Sequence, residues 1–125
     1  MATKGLDNST TDRRRSPRYP IRLRVQEETL DGRISARGVL GDLSETGCAL
    51  HLNSYIPPGT MIEAKYDVNG IALRVTGKVV WAEETGRGVF QGISFAEFAS
   101  EEDALFHRLY IKRLARQAAS PTQPG

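Results

Sequence analysis

One cysteine, Cys48, and two histidines, His51 and His107, are the only thiol and imidazole side chains in 125 residues. A single thiol forms no internal disulfide, so nothing here requires an oxidising compartment. Nor do these three residues make a recognisable zinc set. Both histidines read as half-exposed structural residues, His51 in a strand and His107 on a helix. Aromatic residues are scarce, at 7%, which leaves no row of them to stack successive bases of a nucleic acid. No apolar run nears the roughly 20 residues of a membrane helix. The opening stretch, MATKGLDNSTTDRRR, has no apolar core for a secretion signal. No glycine-rich loop joins a strand to a helix to cradle a phosphate, and Ser44 has no neighbouring histidine base. These absences argue against an enzyme, a membrane-inserted chain and a nucleic-acid binder. They leave a cytoplasmic, non-catalytic protein as the simplest expectation.

What is present is an ordinary globular balance, 39% hydrophobic and 26% charged, in a length that suits one domain. The net charge is only +2, but its distribution is uneven. From Asp12 to Arg24 there are six arginines and one aspartate, a local charge of +5 that leaves −3 for the rest. The chain is a near-neutral body with a basic arm. Residues 1–12 are small and polar and are expected to form a disordered tail. The end, Gln117 to Gly125, has two prolines and no periodicity and reads as a second tail. The domain is expected over residues 13–116.

Within it, turn signals recur every 8–12 residues or so, as in all-β sandwiches and barrels. Ile21, Leu23 and Val25 alternate with Arg22, Arg24 and Gln26, the period of a strand with one wet face. Further strands are expected at about Ile34–Leu40, Cys48–Leu52, Met61–Tyr66, Ile71–Trp81 and Val89–Phe95. Asn69-Gly70 is the strongest hairpin signal, because a type I′ turn needs positive φ at both positions. Alternation puts Trp81 on the side of Leu73, Val75 and Val79. The period then changes. Ser100-Glu101-Glu102-Asp103 resembles a capping box, followed by Leu105, Phe106, Leu109, Tyr110 and Leu114 at helical spacing. A six-stranded antiparallel β-barrel follows, with one C-terminal helix at about 101–116 covering an apolar opening or edge.

Two segments carry chemistry. In Arg13-Arg14-Arg15-Ser16-Pro17-Arg18 the proline holds the backbone extended, so the arginines sit on a strap rather than a helix. Guanidinium forks bind phosphate and the O6/N7 edge of guanine, and stack on base planes. The same run also suits a solvated basic tail. In Asp42-Leu43-Ser44-Glu45-Thr46-Gly47, Asp42 and Ser44 would project to one side of an extended edge. A carboxylate accepts from the N1–H and exocyclic amine of guanine, and Gly47 allows a backbone approach closed to other residues. The alternative is an ordinary turn in which Asp42 and Ser44 bond their own backbone. Together, the two segments suit a ligand with both phosphates and guanines.

The spacing Arg14-x-x-x-Arg18, 23 intervening residues, then Asp42-x-Ser44-x-x-Gly47 resembles the PilZ domain family. The likeness continues through Gly77-Lys-Val-Val-Trp81 and Gly92-Ile-Ser-Phe95 into the terminal helix. It implies a six-stranded barrel acting as a receptor for the second messenger cyclic di-GMP, with no other cofactor and no metal. By the resemblance, Arg14 and Arg18 meet phosphate and guanine edges, and Asp42, Ser44 and Gly47 surround a guanine. Arg13 extends the arginine run, a feature that accompanies an intercalated ligand pair in similar domains. Arg15 is a further phosphate contact, and Trp81 resembles an aromatic near the base. The signal would pass to a downstream protein partner. A basic β-barrel module binding nucleic acid or an acidic protein is the alternative.

Overall fold

A computed structural model describes residues 16–119. Six strands, β1 (Tyr19–Thr29), β2 (Ser35–Leu43), β3 (Gly47–Leu52), β4 (Met61–Val68), β5 (Ile71–Thr85) and β6 (Gly88–Phe98), precede one helix, α1 (Glu101–Ala119). All neighbouring pairs are antiparallel, and the sheet closes in the order β1-β2-β3-β6-β5-β4. The barrel and terminal helix expected from the hydropathy periods are the ones observed. Strand ends extend further than expected, β1 starting at Tyr19 and β6 reaching Phe98. α1 runs past Arg116 to Ala119.

Alternation fills the barrel. Leu40, Leu43, Leu50, Ile62, Tyr66, Leu73, Val75, Val79 and Ile93 all point inward and are buried. Asn69 and Gly70 have φ of 52° and 87°, as the type I′ hairpin requires. Pro20 sits at the start of β1, where β4 does not yet pair with it and the ladder to β2 is irregular between Pro20 and Leu23. The barrel interior also holds polar groups. Buried Glu27 receives hydrogen bonds from the side-chain nitrogen of buried Gln91, at 2.7 Å to Oε2 and 3.1 Å to Oε1. Burial pushes the Glu27 carboxyl up to about 7, against the weaker downward pull of Gln91.

The helix closes one mouth of the barrel. Ser100 Oγ accepts from the Asp103 N–H at 3.0 Å and donates to Asp103 Oδ1 at 3.1 Å. Asp103 Oδ2 accepts from the Arg74 N–H at 3.0 Å, which ties the helix start to β5. Ile111 joins the core, and Phe106, Tyr110 and Leu114 pack against it half-buried. The apolar stripe is wider than the buried one, because Leu105 and Leu109 face outward. His107 also departs from expectation. It is buried rather than half-exposed, since its ring turns into the mouth of the barrel.

Candidate ligand site

The turn joining β2 to β3 holds itself together through Ser44. The Ser44 Oγ accepts from the N–H groups of Thr46 at 3.2 Å and Gly47 at 3.1 Å, and donates to the Gly47 carbonyl at 3.2 Å. The Ser44 N–H donates to the same carbonyl at 2.9 Å. Ser44 is buried, so this is a hydroxyl saturated by local backbone, the turn that such residues favour. Gly47 is required by a neighbour rather than by its own dihedrals. A Cβ there would run into the Ile93 carbonyl oxygen across the β3–β6 ladder.

Asp42 stands in front of this turn, half-buried. Its Oδ1 accepts from the Ala49 N–H at 3.1 Å and from Arg18 Nη1 at 3.0 Å. Local register produces that ion pair. Tyr19 faces Leu43 and Pro20 faces Asp42, so the residue just before β1 lies beside the β2 carboxylate. Thr46 Oγ1 adds a 3.2 Å hydrogen bond to Ser16 Oγ, and Ser16 is nearly buried. The C-terminal end of the basic segment therefore rests on the turn. Arg13, Arg14 and Arg15 lie outside the described residues.

Trp81 comes from the far side of the same face. Alternation from Val79 would turn its ring inward, but the β5–β6 register shifts between Val79 and Trp81. That bulge reverses the phase, leaving Trp81 outside with 43% exposure. A Cβ on Gly92 would run into the indole, so the ring lies across that glycine. Asp42 pairs with Ala49, Ala49 with Gly92 and Gly92 with Trp81, forming one outward row across four strands. With strands about 4.8 Å apart, carboxylate and indole positions are separated by about 14 Å, with only a methyl and a glycine between them. The indole reaches back over Gly92 toward Ala49, so the row presents an acid at one end and an aromatic ring at the other. His51 and Phe90 stack in the adjoining outward row, ring centroids 4.6 Å apart and planes 20° apart. Sequence reasoning singled out neither Ala49 nor the stacked pair. An isolated glycine within a strand, Gly92, was the available signal for a close approach.

Behind the turn is His107 of α1. Its Nε2 lies 3.1 Å from the Ser44 carbonyl oxygen and its Nδ1 lies 2.6 Å from the Tyr66 hydroxyl. One neutral tautomer satisfies both, with Nε2–H donating to Ser44 and Nδ1 accepting from Tyr66. Phe95 and Phe98 flank the ring, with centroids at 5.4 Å and 4.8 Å. Burial lowers the His107 pKa from its ordinary value, against an upward pull from backbone contacts at Glu45 and Ser44. The helix thus grips the carbonyl of the residue that shapes the turn. Among the described residues, no group of three or more His, Cys, Asp or Glu could hold a metal ion.

Comparison with known proteins agrees with this geometry. The PilZ domain of CeSA from a cellulose-synthesizing bacterium is 20% identical with a TM-score of 0.62, and the match covers 80% of this chain and 99% of that one. The Bacillus subtilis inhibitor of motility, MotI/DgrA, is 17% identical with a TM-score of 0.68, covering 87% of this chain and 53% of its own. YcgR from Escherichia coli, solved in complex with c-di-GMP, is 18% identical with a TM-score of 0.63, covering 86% and 49%. This chain spans about half the length of the latter two. At such identities the likeness is one of fold. No curated protein matches by sequence. The family model of the PilZ domain matches residues 12–112, which take in the arginine run, the turn, the Trp81 row and most of α1, and so the chain belongs to the PilZ domain family.

Proposed function

We propose that this chain is a cytoplasmic, non-catalytic receptor for cyclic di-GMP, which binds over the Asp42–Trp81 face beneath the arginine segment. The observation that carries this reading is the 3.0 Å contact between Arg18 and Asp42, in which the basic segment meets the acidic turn. An exposed ion pair of this kind contributes only about 0.2–1 kcal/mol. Charged hydrogen bonds to a ligand contribute about 1.5–3 kcal/mol. Arg18 can therefore leave Asp42 for a phosphate or a guanine edge at little cost. Asp42, freed of its partner, accepts from a guanine.

Arg14 takes the second fork, Arg13 extends the arginine run as for an intercalated ligand pair, Arg15 adds a phosphate contact, and Trp81 offers an indole plane to a base. Ser44 and Gly47 border the guanine. The Ser44 hydroxyl is occupied by the turn's own backbone, so its part is to hold the turn's shape. Ligand draws the arginine segment over the barrel, and a downstream protein partner reads the altered surface. The outward row, with a carboxylate at one end and an indole at the other, favours a guanine-bearing dianion over a generic acidic partner.

Calorimetric titration with cyclic di-GMP tests the reading. Saturable heat is expected, with a Kd at least about tenfold weaker in Asp42→Ala. Absence of heat at tens of micromolar, with circular dichroism unchanged, overturns it.

A further inference from the structure

The outer face of α1 takes no part in the site just described. Glu102, Leu105, Leu109, Lys112 and Arg116 are all exposed and recur at alternating steps of three and four, the period of a seam between two helices. Leu105 and Leu109, at the middle of that seam, keep 47% and 49% exposure although the helix buries other residues against the barrel. Exposed Ile71 of β5 stands nearby, and a groove of about 270 Å³ runs between the β4–β5 hairpin and the helix, with Val68, Leu73, Phe106 and Tyr110 among its lining residues.

Charge along the seam is polarised. The first turn carries Glu101, Glu102 and Asp103. From Ala104 to Ala119 there is no acid, whereas Arg108, Lys112, Arg113 and Arg116 are all cationic. Among the described residues, no carboxylate pairs with any of those four. Reversing the helix against itself matches these features. With two copies antiparallel about an axis at residue 107, Leu105 of each lies opposite Leu109 of the other, and Glu102 lies opposite Lys112. One flank adds Phe106 and the groove beside Ile71. The other brings the two Arg108 side chains together, the single like-charge approach in the pairing.

We infer that α1 is a self-complementary interface whose occupant is α1 of a second copy, packed antiparallel about a two-fold axis. Charge complementarity selects this occupant over the chain's own ends. Residues 1–15 would bring three arginines to an already cationic helix end, and residues 120–125 carry no ionisable and no large apolar side chain. The antiparallel sense follows from Glu102 and Lys112, because a parallel pair would set like charges opposite one another.

Sedimentation equilibrium on the full chain tests this without nucleotide, so its outcome is independent of the receptor reading. A dimer is expected at ~100 µM, where even a Kd of ~10 µM leaves most chains paired. Leu105→Glu with Leu109→Glu should give a monomer with unchanged circular dichroism, since both side chains are exposed. Glu102→Lys alone and Lys112→Glu alone should each weaken association about tenfold by creating like-charge contacts. The double exchange should restore it, which only antiparallel pairing allows. A monomeric wild-type chain, a dimer that survives the two glutamates, or a double exchange no tighter than either single change would each overturn the inference.

Discussion

In front of the Asp42–Gly47 turn the polar groups are exposed or half-exposed and held from few directions, whereas behind it they are buried and held from several. Arg18 and Asp42, with side-chain exposures of 50% and 29%, meet in one ion pair. Ser44, His107 and Tyr66 form a buried relay, each hydrogen-bonded to the next, with Ser44 and Gly47 closing the turn. The same types of bond therefore do different things. A water-facing pair can be exchanged for a ligand because solvent supplies substitutes for either partner. A buried donor or acceptor left alone costs about 1–3 kcal/mol, so the rear groups stay as they are. The site joins a rigid rear wall to an exchangeable front. Changes behind the turn should alter stability, and changes in front should alter affinity alone.

The largest effect is expected from Gly47→Ala. Its methyl meets a backbone oxygen in the β3–β6 ladder, which cannot step aside as a flexible side chain would. A loss of about 3 kcal/mol, at the upper end for overpacking, should appear in urea denaturation. A loss below about 1 kcal/mol would mean that the rear wall yields, and the contrast between the two sides would fail.

Glu27 extends the same contrast into the barrel, and its sign can be worked out. Its carboxyl sits at about 7 in the folded chain against 4.5 ordinarily. The folded state therefore retains a proton that the unfolded chain has released. Stability from this group is complete below about pH 4.5 and is lost as pH rises towards 7. Glu27→Gln, a permanently neutral mimic, should gain on wild type over that range, by on the order of 3 kcal/mol at pH 8. Unfolding midpoints of both proteins at pH 5 and pH 8 measure it, and a constant difference would show that Glu27 is not the source. His107 works in the opposite sense. Its depressed pKa gives stability that is present above the ordinary histidine value, 6.5, and lost as pH falls below it.

Much of this was legible in the sequence because period and turn chemistry are local. Alternation in Ile21–Val25, the Asn69-Gly70 hairpin and the change of period after Ser100 were enough for the barrel and its helix. The approach of Arg18 to Asp42 required only that β1 and β2 pair as neighbours. Alternation alone puts Trp81 inside and its likeness to a base-contact aromatic puts it outside; a bulge inserts one residue and turns it outward, and nothing in Val79-Val80-Trp81 announces it. His107 is buried where half-exposure is expected, since helix spacing gives the side of a residue but not what that side meets. Only the closed barrel brings Tyr66 and the Ser44 carbonyl to opposite nitrogens of its ring. The Asp42–Trp81 row is likewise a product of register across four strands, which no local pattern encodes.

The smallest change in stability belongs to Arg18→Ala, and it separates the two sides most sharply. Removing the guanidinium deletes one exposed ion pair and leaves Asp42 with the Ala49 N–H and solvent. Denaturation should shift by less than about 0.5 kcal/mol, and added salt should erase even that difference, since screening already weakens the wild-type pair. Cyclic di-GMP affinity, measured on the same preparation, should fall at least about tenfold, because the bond lost there is charged and partly withdrawn from water. An unfolding loss of about 2 kcal/mol would instead make Arg18 a strut of the fold. It would then have no freedom to leave Asp42, and the exchange by which ligand enters could not occur.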